Sequence, residues 1–133
     1  MRAVLDTNVL ISGLVFGGKP LAAMEVFFSG RCELVVSEPA LKELDRKLST
    51  KFGWRSPAIA LALETIRDRA SIVSPSFALT DCVDPDDNRI LEAAVEGRAD
   101  CIVSGDKRHL LRMKVFRGIK IMTVNDFLER IGA

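Results

Sequence analysis

The 133 residues are 48% hydrophobic and 28% charged with a formal net charge of +1, a balance that suits a chain with its own core and excludes a disordered one. No apolar run approaches the roughly 20 residues of a membrane span, and MRAVLD reaches its first acid at Asp6, too early for a signal peptide; one cytoplasmic domain over residues 1–133 is expected. Three scattered cysteines (Cys32, Cys82, Cys101) and a single histidine, His109, exclude a Cys/His zinc set and leave carboxylates to carry any chemistry.

RAVLD is a short apolar run stopped by a carboxylate, the pattern of a buried parallel strand. A short helix is predicted over 7–15, capped by Asp6, Thr7 or Asn8. GGKP reads as a loop that puts Pro20 in the first turn of a helix over LAAMEVFFSG, with Gly30 as its stop. CELVVS is a second strand. Ser37 then caps a helix whose Leu41, Leu44 and Leu48 share one face.

KFGWRSP interrupts the pattern, after which Ile59, Leu63, Ile66 and Ala70 recur at helical spacing and SIVSP is a third strand. LTDCVDPDDN is a polar turn with Asp84 as N-cap and Pro85 at the first helical position. Ile90, Leu91, Ala94 and Val95 form the core face of the helix that follows, and Gly97 ends it. DCIVSGD is a strand stopping at Ser104-Gly105-Asp106, HLLRM a helical turn or two, IKIMT the last strand, and VNDFLERIGA a terminal helix capped by Thr123.

Strands alternating with helices predict a three-layer α/β/α domain around a mostly parallel sheet of four to five short strands. Ligands of such sheets sit beyond the carboxyl ends of the strands. Asp6 and Asp106 follow the first and fourth strands, while Glu43 and Asp87 lie in the opening turns of helices. Capping alone explains Asp6 or Asp106 singly, and the helix dipole favours acids such as Asp84, Asp86 and Asp87. Glu92, Asp81 and Asp100 are read as surface residues. Four converging carboxylates repel one another, and a hard divalent cation, Mg²⁺ or Mn²⁺, resolves the conflict with oxygen ligands and shares them with substrate phosphate.

Charge is unevenly spread. Lys107, Arg108, Arg112, Lys114, Arg117 and Lys120 occupy a stretch with no acid. With the four candidate ligands set aside, 19 basic residues face 14 acidic ones, a remainder suited to a polyanion. Lys107, Arg108 and Arg89 are the expected phosphate contacts, and Phe52 and Trp54 the aromatics available for stacking on bases.

LDTNVLIS resembles the opening motif of the PIN-domain family, metal-dependent ribonucleases that include VapC-like toxins of toxin–antitoxin pairs. SEPALKELDRKL, DPDDNRILEAAVEGRAD and IVSGDKRHLL resemble its further motifs in order, over nearly the whole chain. The resemblance implies that Asp6, Glu43, Asp87 and Asp106 hold Mg²⁺ or Mn²⁺ and are the catalytic acids. Thr7 and Asn8 match the polar pair beside the first aspartate, Ser104 replaces a common threonine, and Asp84 matches an extra supporting acid. Asp87 is chosen over its neighbour Asp86 because Ile90 then falls three residues on.

The same resemblance implies endonucleolytic hydrolysis of RNA to a 5′-phosphate and a 3′-hydroxyl, with no histidine or serine nucleophile. It also implies an antitoxin whose tail covers the acids, and a homodimer for which the 52–70 region is the candidate surface. Rival readings lack their residues: DTN supplies one acid where a receiver domain or a haloacid-dehalogenase-type phosphatase needs two. A non-catalytic PIN-fold module is the rival from another class, and housekeeping RNA processing the rival role for the same chemistry.

Overall fold

Each apolar run becomes a strand. In the computed structural model, which describes residues 1–105 and 109–132, these are β1 (Arg2–Leu5), β2 (Glu33–Ser37), β3 (Ala70–Val73), β4 (Cys101–Val103), β5 (Val115–Phe116) and β6 (Ile119–Met122). They form one sheet in the order β3-β2-β1-β4-β6-β5, parallel throughout except for β5, which runs antiparallel to β6. The helices are α1 (Thr7–Phe16), α2 (Gly18–Phe28), α3 (Glu38–Phe52), α4 (Ser56–Arg69), α5 (Pro85–Glu96), α6 (Leu110–Met113) and α7 (Val124–Ile131).

The three layers follow from the two-residue period of the strands. Ala3, Leu5, Leu34, Val36, Cys101 and Val103 bury against one set of helices, where Phe27 of α2 stacks on Phe127 of α7 with ring centroids 5.4 Å apart. The alternate residues Val4, Val35 and Ile102 bury on the other face with Ile90, Leu91, Ala93 and Ala94 of α5. Burial on both faces explains why these strands read as unbroken apolar runs. No single helix among the described residues is long and apolar enough to cross a membrane.

The expected elements are present, with three differences. The sheet has six strands among the described residues, not four to five, because the chain reverses through Arg117 (φ 50°) and Gly118 (φ 79°) and lays β5 on β6. Two left-handed residues suit a two-residue hairpin turn, but arginine at the first of them is no turn signal. Second, Phe52 ends α3 and meets Phe16 edge-on at 6.0 Å, both rings being exposed, while Trp54 is half-buried against the core, so of the two expected aromatics Phe52 alone stays open.

The third difference is a correction. Glu92, expected at the surface, is buried; its Oε2 accepts from the Leu79 N–H at 2.7 Å and from the Arg89 guanidinium at 2.7 Å. The segment between β3 and α5 folds over α5 and needs an inward-facing acceptor, which helical periodicity alone does not reveal.

Candidate metal and active site

The chain crosses from β1 into α1 through Asp6. Its N–H donates to Val103 of β4 at 2.9 Å, and its carbonyl accepts from Val9 and Leu10 to start the helix. Its carboxylate is buried, with Oδ1 accepting from the Asn8 N–H at 3.4 Å and Oδ2 from the Ser104 hydroxyl at 2.9 Å. The cap is long and the serine bond of ordinary length. Asp6 therefore faces the end of β4 more than it caps α1. Ser104 is fully buried and lies 98 positions away in sequence, brought there by the pairing of β1 with β4.

Beside this pair, Asn8 Oδ1 accepts from Lys47 Nζ at 3.4 Å, and the same ammonium lies 3.1 Å from Glu43 Oε1. Both partners of the Lys47–Glu43 pair are largely buried, with side chains 14% and 10% exposed. Burial pushes the Glu43 carboxyl above its ordinary range; the Lys47 hydrogen bond and charge oppose this, and the neighbouring Asp86 carboxyl adds to the rise. A run of contacts thus leads from Ser104 through Asp6, Asn8, Lys47 and Glu43 to Asp86, across the carboxyl ends of β1 and β4, the second and third turns of α3 and the first turn of α5.

Asp84 caps α5, its Oδ1 accepting from the Asp86 N–H at 2.9 Å, and is exposed. Asp87 is buried in the first turn. Cys82 lies nearby: its thiol is pushed up by burial first and then by the charges of Asp87, Asp81 and Asp84. The Asn88 side chain fixes this turn, accepting from the Cys82 N–H at 2.8 Å and donating to the Cys82 carbonyl at 3.0 Å. Thr7 is buried, and its hydroxyl has no hydrogen-bond partner among the described residues. Arg89 gives its guanidinium to Glu92 and leaves about a third of its side chain exposed. Asp106, Lys107 and Arg108 lie outside the described residues.

The structure therefore joins Asp6, Asn8, Ser104 and Glu43 and sets Asp86 beside Glu43, with Asp87 buried next to it in the first turn of α5. Among the described residues no three acids, cysteines or histidines are grouped to hold a metal ion. The donors are nonetheless all of the oxygen type that a hard divalent cation takes, and a buried carboxyl with raised proton affinity is what such an ion relieves. Lys47 and Asn88 were not singled out by the sequence. Their only signals were a basic residue four positions after Glu43 and an amide inside a capped first turn.

A family model described as the PIN domain matches residues 2–108. The uncharacterized protein MJ1680 of Methanocaldococcus jannaschii is 30% identical over 112 residues, covering 80% of this chain and 72% of that protein. The structure of VapBC2 from Rickettsia felis, bound to a DNA fragment from its promoter, overlaps with a TM-score of 0.64 at 14% identity, over 92% of this chain and 98% of that one. PAE2754 from Pyrobaculum aerophilum overlaps with a TM-score of 0.62 at 14% identity, over 99% and 90%. VapBC-1 from nontypeable Haemophilus influenzae gives 0.61 at 16% identity, over 94% and 99%. These structures share the fold.

Proposed function

The chain belongs to the PIN-domain family, whose members are generally nucleases that use divalent metals, and from that premise we propose that it is a metal-dependent endoribonuclease acting as the toxin of a toxin–antitoxin pair. One observation carries the reading: a buried carboxylate at the end of β1 is bonded to a buried serine at the end of β4, with Asn8, Lys47 and Glu43 linked to the same place. In this reading Asp6, Glu43, Asp87 and Asp106 hold Mg²⁺ or Mn²⁺. A divalent cation supplies Lewis-acid activation of water and neutralises charge developing on the phosphate.

The chain's own residues do the positioning. Ser104 and the Asn8 N–H hold the Asp6 carboxylate toward the sheet end, with Thr7 packed beside it. Asp84 fixes the start of α5 and with it the place of Asp86 and Asp87. Lys107 and Arg108 bind phosphate, as does Arg89 with the part of its side chain outside the Glu92 pair. The fold likeness to VapBC chains supports an antitoxin partner. Residues 1–133 then form one domain, working in the cytoplasm as a homodimer through the 52–70 region.

A second reading, a non-catalytic PIN-fold module, is favoured by Lys47, which already supplies a positive charge to Glu43. Housekeeping RNA processing differs from the toxin role in biology and not in chemistry. Purified protein is expected to cut single-stranded or loop RNA with Mg²⁺ or Mn²⁺, and Asp6→Asn to lose that activity while its thermal unfolding stays cooperative. RNA left intact by the wild type with either metal moves the chain to the module reading.

A further inference from the structure

Four adjoining cavities form one groove that starts beside Asn8 and Ser104, the two residues bonded to the Asp6 carboxylate, and runs down the far edge of the sheet. The first is lined by Asn8 and Ser12 and shares Gly105 and Val124 with the second, which reaches Ser104. Leu111 and Thr123 carry the second into the third, and Lys114, Ile121, Met122 and Asp126 are common to the third and the fourth. The fourth, about 540 Å³, ends at Lys120, Glu129 and Arg130.

The two walls of the groove differ in charge. The wall from α6 to β6 presents Arg112, Lys114 and Lys120 and no acid; the α7 wall presents Asp126, Glu129 and Arg130. All four cations are exposed, and none is ion-paired among the described residues. Lys114 holds a positive φ of 61° with its carbonyl accepting from the Ile121 N–H at 2.9 Å, which fixes its backbone where the third and fourth cavities meet. Lys120 stands two residues before Met122, the last residue of β6, so the basic wall, which starts at Arg112 beside Thr123, extends to roughly 7 Å from the strand end. The groove accordingly reaches beyond the end of the strand.

Resting on the nuclease reading, we propose that this groove carries the single-stranded RNA flanking the cleavage point, with Arg112, Lys114 and Lys120 on its phosphates. The backbone lies on the basic wall. Asp126 and Glu129 on the opposite wall accept from 2′-hydroxyls and exocyclic amines, groups that RNA offers and an acidic peptide does not. Continuity with the acid site is the second reason for choosing RNA over a protein tail, since the strand entering the groove is the one being cut.

The test compares wild type with a Lys114→Glu/Lys120→Glu double variant, binding a labelled 12-nucleotide single-stranded RNA in EDTA, where no cleavage occurs, across a salt series. Each lost phosphate contact lowers the slope of log affinity against log salt by about 0.7. The expected result is at least tenfold weaker binding at low salt and a slope reduced by about 1.4, with Mn²⁺ affinity and melting temperature unchanged. If the wild type cuts RNA but the variant binds it as tightly with the same slope, the groove falls and the nuclease reading stands. If the wild type neither binds nor cuts RNA, both fall. A variant that keeps RNA binding but loses binding of a polyglutamate peptide makes the groove a protein-docking site and overturns the proposal.

Discussion

Lys47 holds two acceptors at once, the Glu43 carboxylate Oε1 at 3.1 Å and the neutral Asn8 amide Oδ1 at 3.4 Å. Burial still wins over it, so Glu43 binds its proton more tightly in the folded protein than at its ordinary value of 4.5. From 4.5 upward to that raised value, the folded state holds more protons than the unfolded one. Metal-free stability therefore falls as pH rises through the window. Lys47→Met removes the opposing charge, and urea titrations from pH 4 to 7 are expected to show a steeper fall in the variant. Equal pH slopes would remove Lys47 from the site. Asp6 was legible in the sequence because a carboxylate ending an apolar strand is rare without a use. Lys47 was not, since a Glu–Lys pair four residues apart is ordinary on a solvated helix face. Asp86 and Asp87 stay a pair for a related reason: both lie in the first turn of α5, about 100° apart around the helix, and it is Asp86 that neighbours Glu43.

At the scale of elements, α5 depends on a tie that hydrophobic periodicity does not record. Glu92 binds both the Leu79 N–H and Arg89, fixing the segment that leads into the Asp84 cap. Glu92→Ala leaves a buried N–H without its acceptor and a partly exposed guanidinium without its carboxylate, an expected loss of about 2–3 kcal/mol. Glu92→Gln keeps an acceptor and is expected to lose less; urea denaturation of the two variants makes the comparison, and equal small losses would contradict the tie. Gly97 teaches a similar lesson. The sequence marks it as a helix stop, but its φ of −82° needs no glycine. Space does: a Cβ there would run into the Val35 side chain and stand 3.0 Å from the Ala93 carbonyl. The strands and helices themselves were readable because apolar runs and caps agree at each boundary. β5 escaped because two residues carry no periodicity.

Over the whole molecule, sheet order is what makes distant acids neighbours. β1 and β4 pair at the centre, so residue 6 meets residue 104, and the second turn of α3 meets the first turn of α5 through Glu43 and Asp86. Alternation of strands and helices foretold a parallel sheet and placed acids at the ends of two strands, but the adjacency of β1 and β4 was not in any local pattern. Net charge misled in the same way: a total of +1 conceals buried acids such as Asp6 and Asp87 and an exposed wall of Arg112, Lys114 and Lys120. The most direct test is a crystal soaked in Mn²⁺ and measured at the manganese edge. An anomalous peak is expected between the carboxylates of Asp6, Glu43, Asp87 and Asp106, lost in Asp6→Asn; no peak there, or one that survives the substitution, would contradict a shared cation.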